Sequence, residues 1–411
     1  MTTAAVSYTV PGATLTEREH SVPLNHDAPS GETISVFTRE VAAAGGEDRP
    51  YLVFLQGGPG HEATRPTAPP VGWQKRALED YRLLLLDQRG TGRSTPVGEI
   101  PGETPQAQAD YLANFRADSI VRDAELIRQE LGVDRWSLLG QSFGGFCTMT
   151  YLSVAPEAVR EAMITGGVSP IGHPVDDVYS TTYRRMIDRS RAYFERYPED
   201  QQRMRDLLLL VENEDVRLPS GDRLTAGRVR QLGMPFGMSY GFETVHHILE
   251  LPFGSRPFLH DVEATTRFGR NPLYATVHEA CYADGGATRW SGDRLLPDEI
   301  VERHYFTGEH IFRWMWQDEA ALRSHKGAAD ILAEREWPRL YDPGQLAQNE
   351  VPVAATIYVE DPYVDRGFAE ESARLIRGMR PWITNEYLHD GLRTGAEALV
   401  GRLIDMARNR I

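Results

Sequence analysis

The chain has 411 residues, more than one single-core domain usually holds, so a core domain plus a substantial second unit is expected. Its 59 acidic against 44 basic residues leave a formal charge of −15, with no basic run, which argues against a nucleic-acid or anionic-membrane partner. Cys147 and Cys281, the two cysteines, lie too far apart in sequence for a disulfide framework or a metal-ligand spacing and read as buried thiols. Met1 to Pro11 carry neither a charged n-region nor an apolar h-region, and no apolar run reaches membrane-spanning length. The expectation is a soluble, cytoplasmic protein.

Taken in chain order, Thr16 to Arg39 alternates like a pair of antiparallel edge strands. Short apolar runs bounded by Gly, Pro and Asp then predict strands at Tyr51–Leu55, Arg82–Leu86, Arg135–Leu139, Glu161–Thr165, Val353–Val359 and Trp382–Tyr387. Helical patterns separate several of them, which implies parallel strands with crossover helices and an α/β class. Between Gly172 and Arg339 the pattern changes to long, charged, helix-like stretches such as Tyr183–Glu212 and Asp318–Glu336. The predicted organisation is a core in two parts, residues 1–171 and 341–411, with a mainly helical cap, 172–340, inserted between them.

The strand at Arg135–Leu139 runs into Gly140-Gln141-Ser142-Phe143-Gly144, and Phe146, Met149, Tyr151 and Leu152 continue beyond it at helical spacing. A glycine-flanked serine on a strand-to-helix turn is the nucleophile elbow of the α/β-hydrolase fold, where small residues let strand and helix pass closely. A serine hydroxyl needs a histidine base, and the histidine needs a carboxylate to fix its tautomer. The chain order in that fold is serine, acid, histidine. Eleven of the twelve histidines lie at or before His325, ahead of the last two predicted strands, so order nominates His389. For the acid, Asp361 follows its strand directly and stands before Pro362; Asp365 is second and Glu360 third. Oxyanion donors are expected from the Phe143 amide and from Gly58 or its neighbour Gly57, in Gln56-Gly57-Gly58-Pro59-Gly60 after the strand at Tyr51–Leu55. His246-His247 and His278 with Glu279 lack the spacing of a metal site, so neither a metal nor a cofactor is expected. Arg89 and Arg93 read as loop anchors.

Gly57-Gly58-Pro59-Gly60, Asp87-Gln88-Arg89-Gly90-Thr91-Gly92-Arg93-Ser94, Gly140-Gln141-Ser142-Phe143-Gly144-Gly145 and His389-Asp390-Gly391 together resemble the proline iminopeptidases, also called prolyl aminopeptidases. The resemblance implies release of N-terminal proline through an acyl-enzyme, with Ser142, Asp361 and His389 as the triad and a small peptide with a free N-terminus as substrate. Gln56, where many members have histidine, and the missing Gly-x-x-Asp lead-in to Asp361 fit the larger members better. An aminopeptidase must also read a cationic amine, which calls for carboxylates in the cap. Glu279 is similar to an amine-binding glutamate of the family, and Glu243 and Glu309 stand in comparable aromatic settings; the order of preference is Glu279, Glu243, Glu309. Phe143, Phe146, Tyr274, Trp290 and Trp314 are available to line a proline pocket. The alternatives are an esterase or amidase of the same fold acting on a small metabolite, and a non-catalytic binding protein of hydrolase shape.

Overall fold

In the computed structural model, which describes residues 5–98 and 104–411, a nine-stranded sheet runs through the molecule in the order β1-β2-β3-β5-β4-β6-β7-β8-β9. The first four residues of the Met1–Pro11 stretch lie outside the described residues. The strands are β1 Val6–Val10, β2 Ala13–Pro23, β3 Thr33–Ala43, β4 Tyr51–Leu55, β5 Arg82–Asp87, β6 Trp136–Gln141, β7 Val159–Thr165, β8 Val353–Tyr358 and β9 Met379–Thr384. β1, β2 and β3 are antiparallel and β3 pairs antiparallel with β5; from β5 to β9 every pairing is parallel.

Burial follows that arrangement. β4 and β8 are buried at every position, as expected of parallel strands covered on both faces. β1, outermost, is almost wholly exposed, so its VSYTV sequence carries no inward pattern to read, and the expected edge pair is in fact a three-stranded edge. β9 begins three residues before the expected Trp382, because Gly378, at φ 77°, turns the chain directly into Met379, which registers with Val353 of β8.

Helices occupy the stretch between β7 and β8. The run expected at Tyr183–Glu212 is two helices, Val175–Arg196 and Asp200–Asn213, divided around Pro198, which cannot continue the ladder of the first. Asp318–Glu336 is likewise divided, among Met315–Asp318, Ala320–Arg323 and Lys326–Glu334. Part of this region has its own core, in which Tyr193, Phe236, Phe242 and Phe306 meet ring to ring. A second cluster of its own gathers Tyr183, Trp290, Ile311 and Trp316, while Leu273, Val277, Tyr282 and Trp337 pack in one cluster with Val53, Leu138 and Ile164 of the sheet. Among the described residues no helix is long and apolar enough to cross a membrane.

Candidate active site

Four loops at the carboxyl ends of parallel strands meet at one point, the usual location of ligand sites in such sheets. β6 ends in Ser142, β4 runs into Gly57 and Gly58, β8 into Asp361 and β9 into the loop bearing His389. Ser142 sits at φ 54°, ψ −125°, a strained conformation for a residue with a Cβ. The surroundings hold it there. A Cβ on Gly144 would lie 1.8 Å from the Leu55 carbonyl oxygen, and one on Gly140 would lie 2.3 Å from that of Gly144, so the strand and the helix Phe143–Val154 pass at a distance only glycine allows. The turn thereby lifts the serine side chain off the sheet.

His389 Nε2 lies 2.8 Å from Ser142 Oγ, and its Nδ1 lies 2.7 Å from Asp361 Oδ2. The other Asp361 oxygen accepts from the Tyr363 and Val364 amides at 2.9 and 3.1 Å, which fixes the carboxylate, and the His389 amide donates to the Gly237 carbonyl at 2.8 Å. Burial alone would lower the His389 pKa. Asp361, through charge and hydrogen bond, outweighs that with help from Glu309 and Asp390, and the pKa stands above its ordinary value. The other two acids are engaged elsewhere. Asp365 caps the helix Arg366–Leu375 by accepting from the Phe368 amide and takes the Arg185 Nε at 2.7 Å; Glu360 is exposed and paired with Arg189 at 3.1 Å.

Gly57 and Gly58 stand against the elbow: a Cβ on Gly57 would meet Ser142 Cβ at 2.9 Å, and Gly58 holds φ 131°, outside the range of other residues. This loop is braced from below, since Gln88 Nε2 donates to the Gln56 carbonyl and Asp87 accepts from the Ala63 and Arg93 amides. The Asp87–Ser94 motif is therefore scaffolding. Arg89 is wholly buried, bonded through two nitrogens to Asp123 and donating to the carbonyls of Pro23, Leu24 and Asn114; Arg93 reaches Glu17 at 2.5 Å and lies over the Phe37 ring.

A cavity of about 520 Å³ opens over Ser142 and His389. Its wall includes Gly58, His61, Phe268, Tyr274 and Glu309. Of the three cap acids singled out in the sequence, Glu309 alone lines it, although the expected order placed Glu279 and Glu243 first. Glu279 is buried elsewhere: its Oε1 accepts from the Gly292 amide at 2.8 Å, it faces a small void beside Trp290 and Trp316, and burial pushes its carboxyl up to about 7. Glu243 is part-exposed and pairs with Arg196. Glu309 is the opposite case. Burial would raise its pKa, but hydrogen bonding and charge from His278, with further contributions from His389 and Tyr274, leave it lowered, so the acid stays ionised beside the triad. Tyr274 lines the cavity, whereas Phe143 and Phe146 pack in the core beneath, Trp290 lies at the void by Glu279, and Trp314 stacks on Phe312. Phe268, His61, Arg267 and Arg393 also line the cavity; they come from loops and helix ends with no periodicity or motif to mark them.

His246 lies 2.9 Å from Asp200 and stacks on Tyr197. Among the described residues the acid and histidine groups of metal-binding size are His246–His247–Glu250 and Glu199–Asp200–His246, and neither lines the cavity.

A serine, histidine and carboxylate in hydrogen-bonded series on the loops of this sheet define a serine-hydrolase type of site on an α/β-hydrolase fold, and residues 50–217 match the family described as alpha/beta hydrolase fold. The chain is 46% identical to a proline iminopeptidase of Aeromonas sobria, with 95% of each chain covered, and 32% identical to one of Aspergillus aculeatus, over 96% of this chain and 94% of that one. It belongs to the proline iminopeptidase family. A solved structure of a meta-cleavage product hydrolase from Pseudomonas fluorescens aligns over 95% of this chain and 98% of its own at 12% identity and a TM-score of 0.47.

Proposed function

We propose that the protein releases proline from the free N-terminus of short peptides by acyl transfer through Ser142. The observation that carries the reading is the placement of Glu309 in the cavity over Ser142 and His389, the one carboxylate lining it among the described residues. A secondary ammonium is drawn to such a group in a partly desolvated wall, and the proline ring would lie against Phe268 and Tyr274.

Ser142 Oγ attacks the prolyl carbonyl as its proton passes to His389 Nε2, and Asp361 stabilises the imidazolium. The oxyanion is received by the Phe143 and Gly58 amides. His389 then gives the proton to the departing nitrogen as the C–N bond breaks. Water, deprotonated by His389, attacks the prolyl ester, and collapse of that intermediate frees proline and returns the proton to Ser142.

Residues 172–340 serve as the cap that carries the amine reader. No nucleic acid, membrane or cofactor enters this account. Two free, buried thiols suit a reducing compartment, and the cytoplasm is the location proposed. The test is incubation of a Pro-X-X peptide with wild-type and Ser142→Ala protein. Wild type should shorten the peptide by one proline residue and Ser142→Ala should leave it intact; cleavage at another bond, or by Ser142→Ala, would overturn the reading.

A further inference from the structure

A second cavity, of about 250 Å³, adjoins the first. Gln56, Gln141, Met238 and Arg393 line both, and Gln56 and Gln141 are the immediate neighbours of Gly57 and Ser142, so the opening between the cavities lies beside the nucleophile and the oxyanion loop. Glu309 lines the first cavity and not the second. With the amine held at Glu309, the part of the substrate beyond the scissile bond is directed toward the second cavity. Phe54, Trp73, Met238 and Leu392 give that cavity apolar surface, with the Phe54 and Trp73 rings 4.5 Å apart, and Thr64, Thr67 and Gln74 line it as well.

Three charged groups line it: Arg65, which is exposed, Asp390 and Arg393. Arg393 is the charged residue common to both linings; it is exposed and makes no ion pair among the described residues, in a chain with 59 carboxylate side chains against 44 basic ones. Asp390 is buried in the wall of the second cavity. One of its oxygens is held by the Ser239 amide and hydroxyl at 3.2 and 2.7 Å, and the other is buried with no partner among the described residues.

We propose that this second cavity is the leaving-group site, taking an apolar side chain of the residue after proline, and that Arg393 at the opening binds that residue's carboxylate when the substrate is a dipeptide. The inference rests on the proline-releasing reading above. A guanidinium that makes no ion pair of its own offers a carboxylate two parallel hydrogen bonds, and the apolar part of the wall takes the side chain. Arg65 is exposed and screened by solvent whereas Asp390 is buried in the wall, so the balance inside the cavity disfavours a second carboxylate and an acidic side chain is rejected.

The test compares kcat/KM for Pro-Leu, Pro-Leu amide and Pro-Asp with wild-type and Arg393→Gln protein, each ratio being internal to one preparation. Wild type should favour Pro-Leu over its amide by about tenfold, the size of one charge-assisted contact, and Pro-Leu over Pro-Asp by a comparable margin. In Arg393→Gln the acid-to-amide ratio should fall to about one. Cleavage of all three at similar rates by wild type, or an acid-to-amide ratio unchanged in Arg393→Gln, would overturn the inference while leaving proline release standing. Cleavage of none, including proline p-nitroanilide, would overturn both.

Discussion

Ser142 carries the strain of the site and His389 its pH response. The serine is held at φ 54° by neighbours that lack side chains, and its hydroxyl meets His389 at 2.8 Å. Replacing Ser142 with Ala should lower kcat/KM by roughly 10⁴-fold or more while leaving the circular dichroism spectrum and melting temperature close to wild type. Retained turnover would remove Ser142 from the mechanism. His389 must be neutral to act as a base, and its pKa is raised, so the acid limb of kcat/KM should lie above the ordinary histidine value of 6.5. Glu309 is one of the charges raising it. Glu309→Gln should therefore shift that limb to lower pH as well as raise KM for free-amine substrates, and a limb that stays in place would show that His389 does not feel the Glu309 charge. At this scale the sequence was readable where chemistry forces a local pattern. Ser142 has its glycines and His389 its place in chain order, but Glu309 differs from Glu279 and Glu243 only in where the cap folds it.

Among the elements, the sheet sets the site by ending β4, β6, β8 and β9 on one side, and buried polar anchors hold the connecting loops there. The strongest of these is Arg89 with Asp123 on the helix Ala117–Glu130, both about 1% exposed or less at the side chain. Removing one partner leaves the other charge buried alone, so Asp123→Asn should cost about 3–5 kcal/mol in urea unfolding. On the same helix the exposed Arg122 pairs with Asp27 of the loop after β2, and Arg122→Ala should cost less than about 1 kcal/mol by the same measurement. Equal losses would mean that burial does not govern these pairs. Parallel strands were legible because both faces are covered and the runs are uniformly apolar, as in Tyr51–Leu55. β1 was not, since exposed positions impose no pattern, and the helix break at Pro198 was hidden by the continuous charged periodicity on either side.

As a whole molecule, the inserted helices are tied to the sheet. Arg116 is buried, donating to the carbonyls of Ala283 and Pro338 and lying over the Trp337 ring, and Tyr282 donates to the Tyr363 carbonyl just beyond Asp361. Cys147 from the sheet side and Cys281 from the inserted side lie in the same apolar cluster, and burial pushes both thiols up. Both should stay unreactive toward a thiol reagent in the native state and react in step with loss of helical signal across one urea transition. Exposure of Cys281 ahead of that transition would mean that the inserted region unfolds separately. That a helical insertion was present could be seen in the change of pattern after Gly172; its packing on the triad loops could not, because those contacts join residues distant in sequence.

The central claim is that one cavity joins a serine nucleophile to a reader of the substrate amine. It is tested most directly by kcat/KM for proline p-nitroanilide against its N-acetylated form. The account predicts a preference of about a hundredfold or more for the free amine, the scale of a buried charge pair against its loss; equal rates, or a preference for the acetylated substrate, would contradict it.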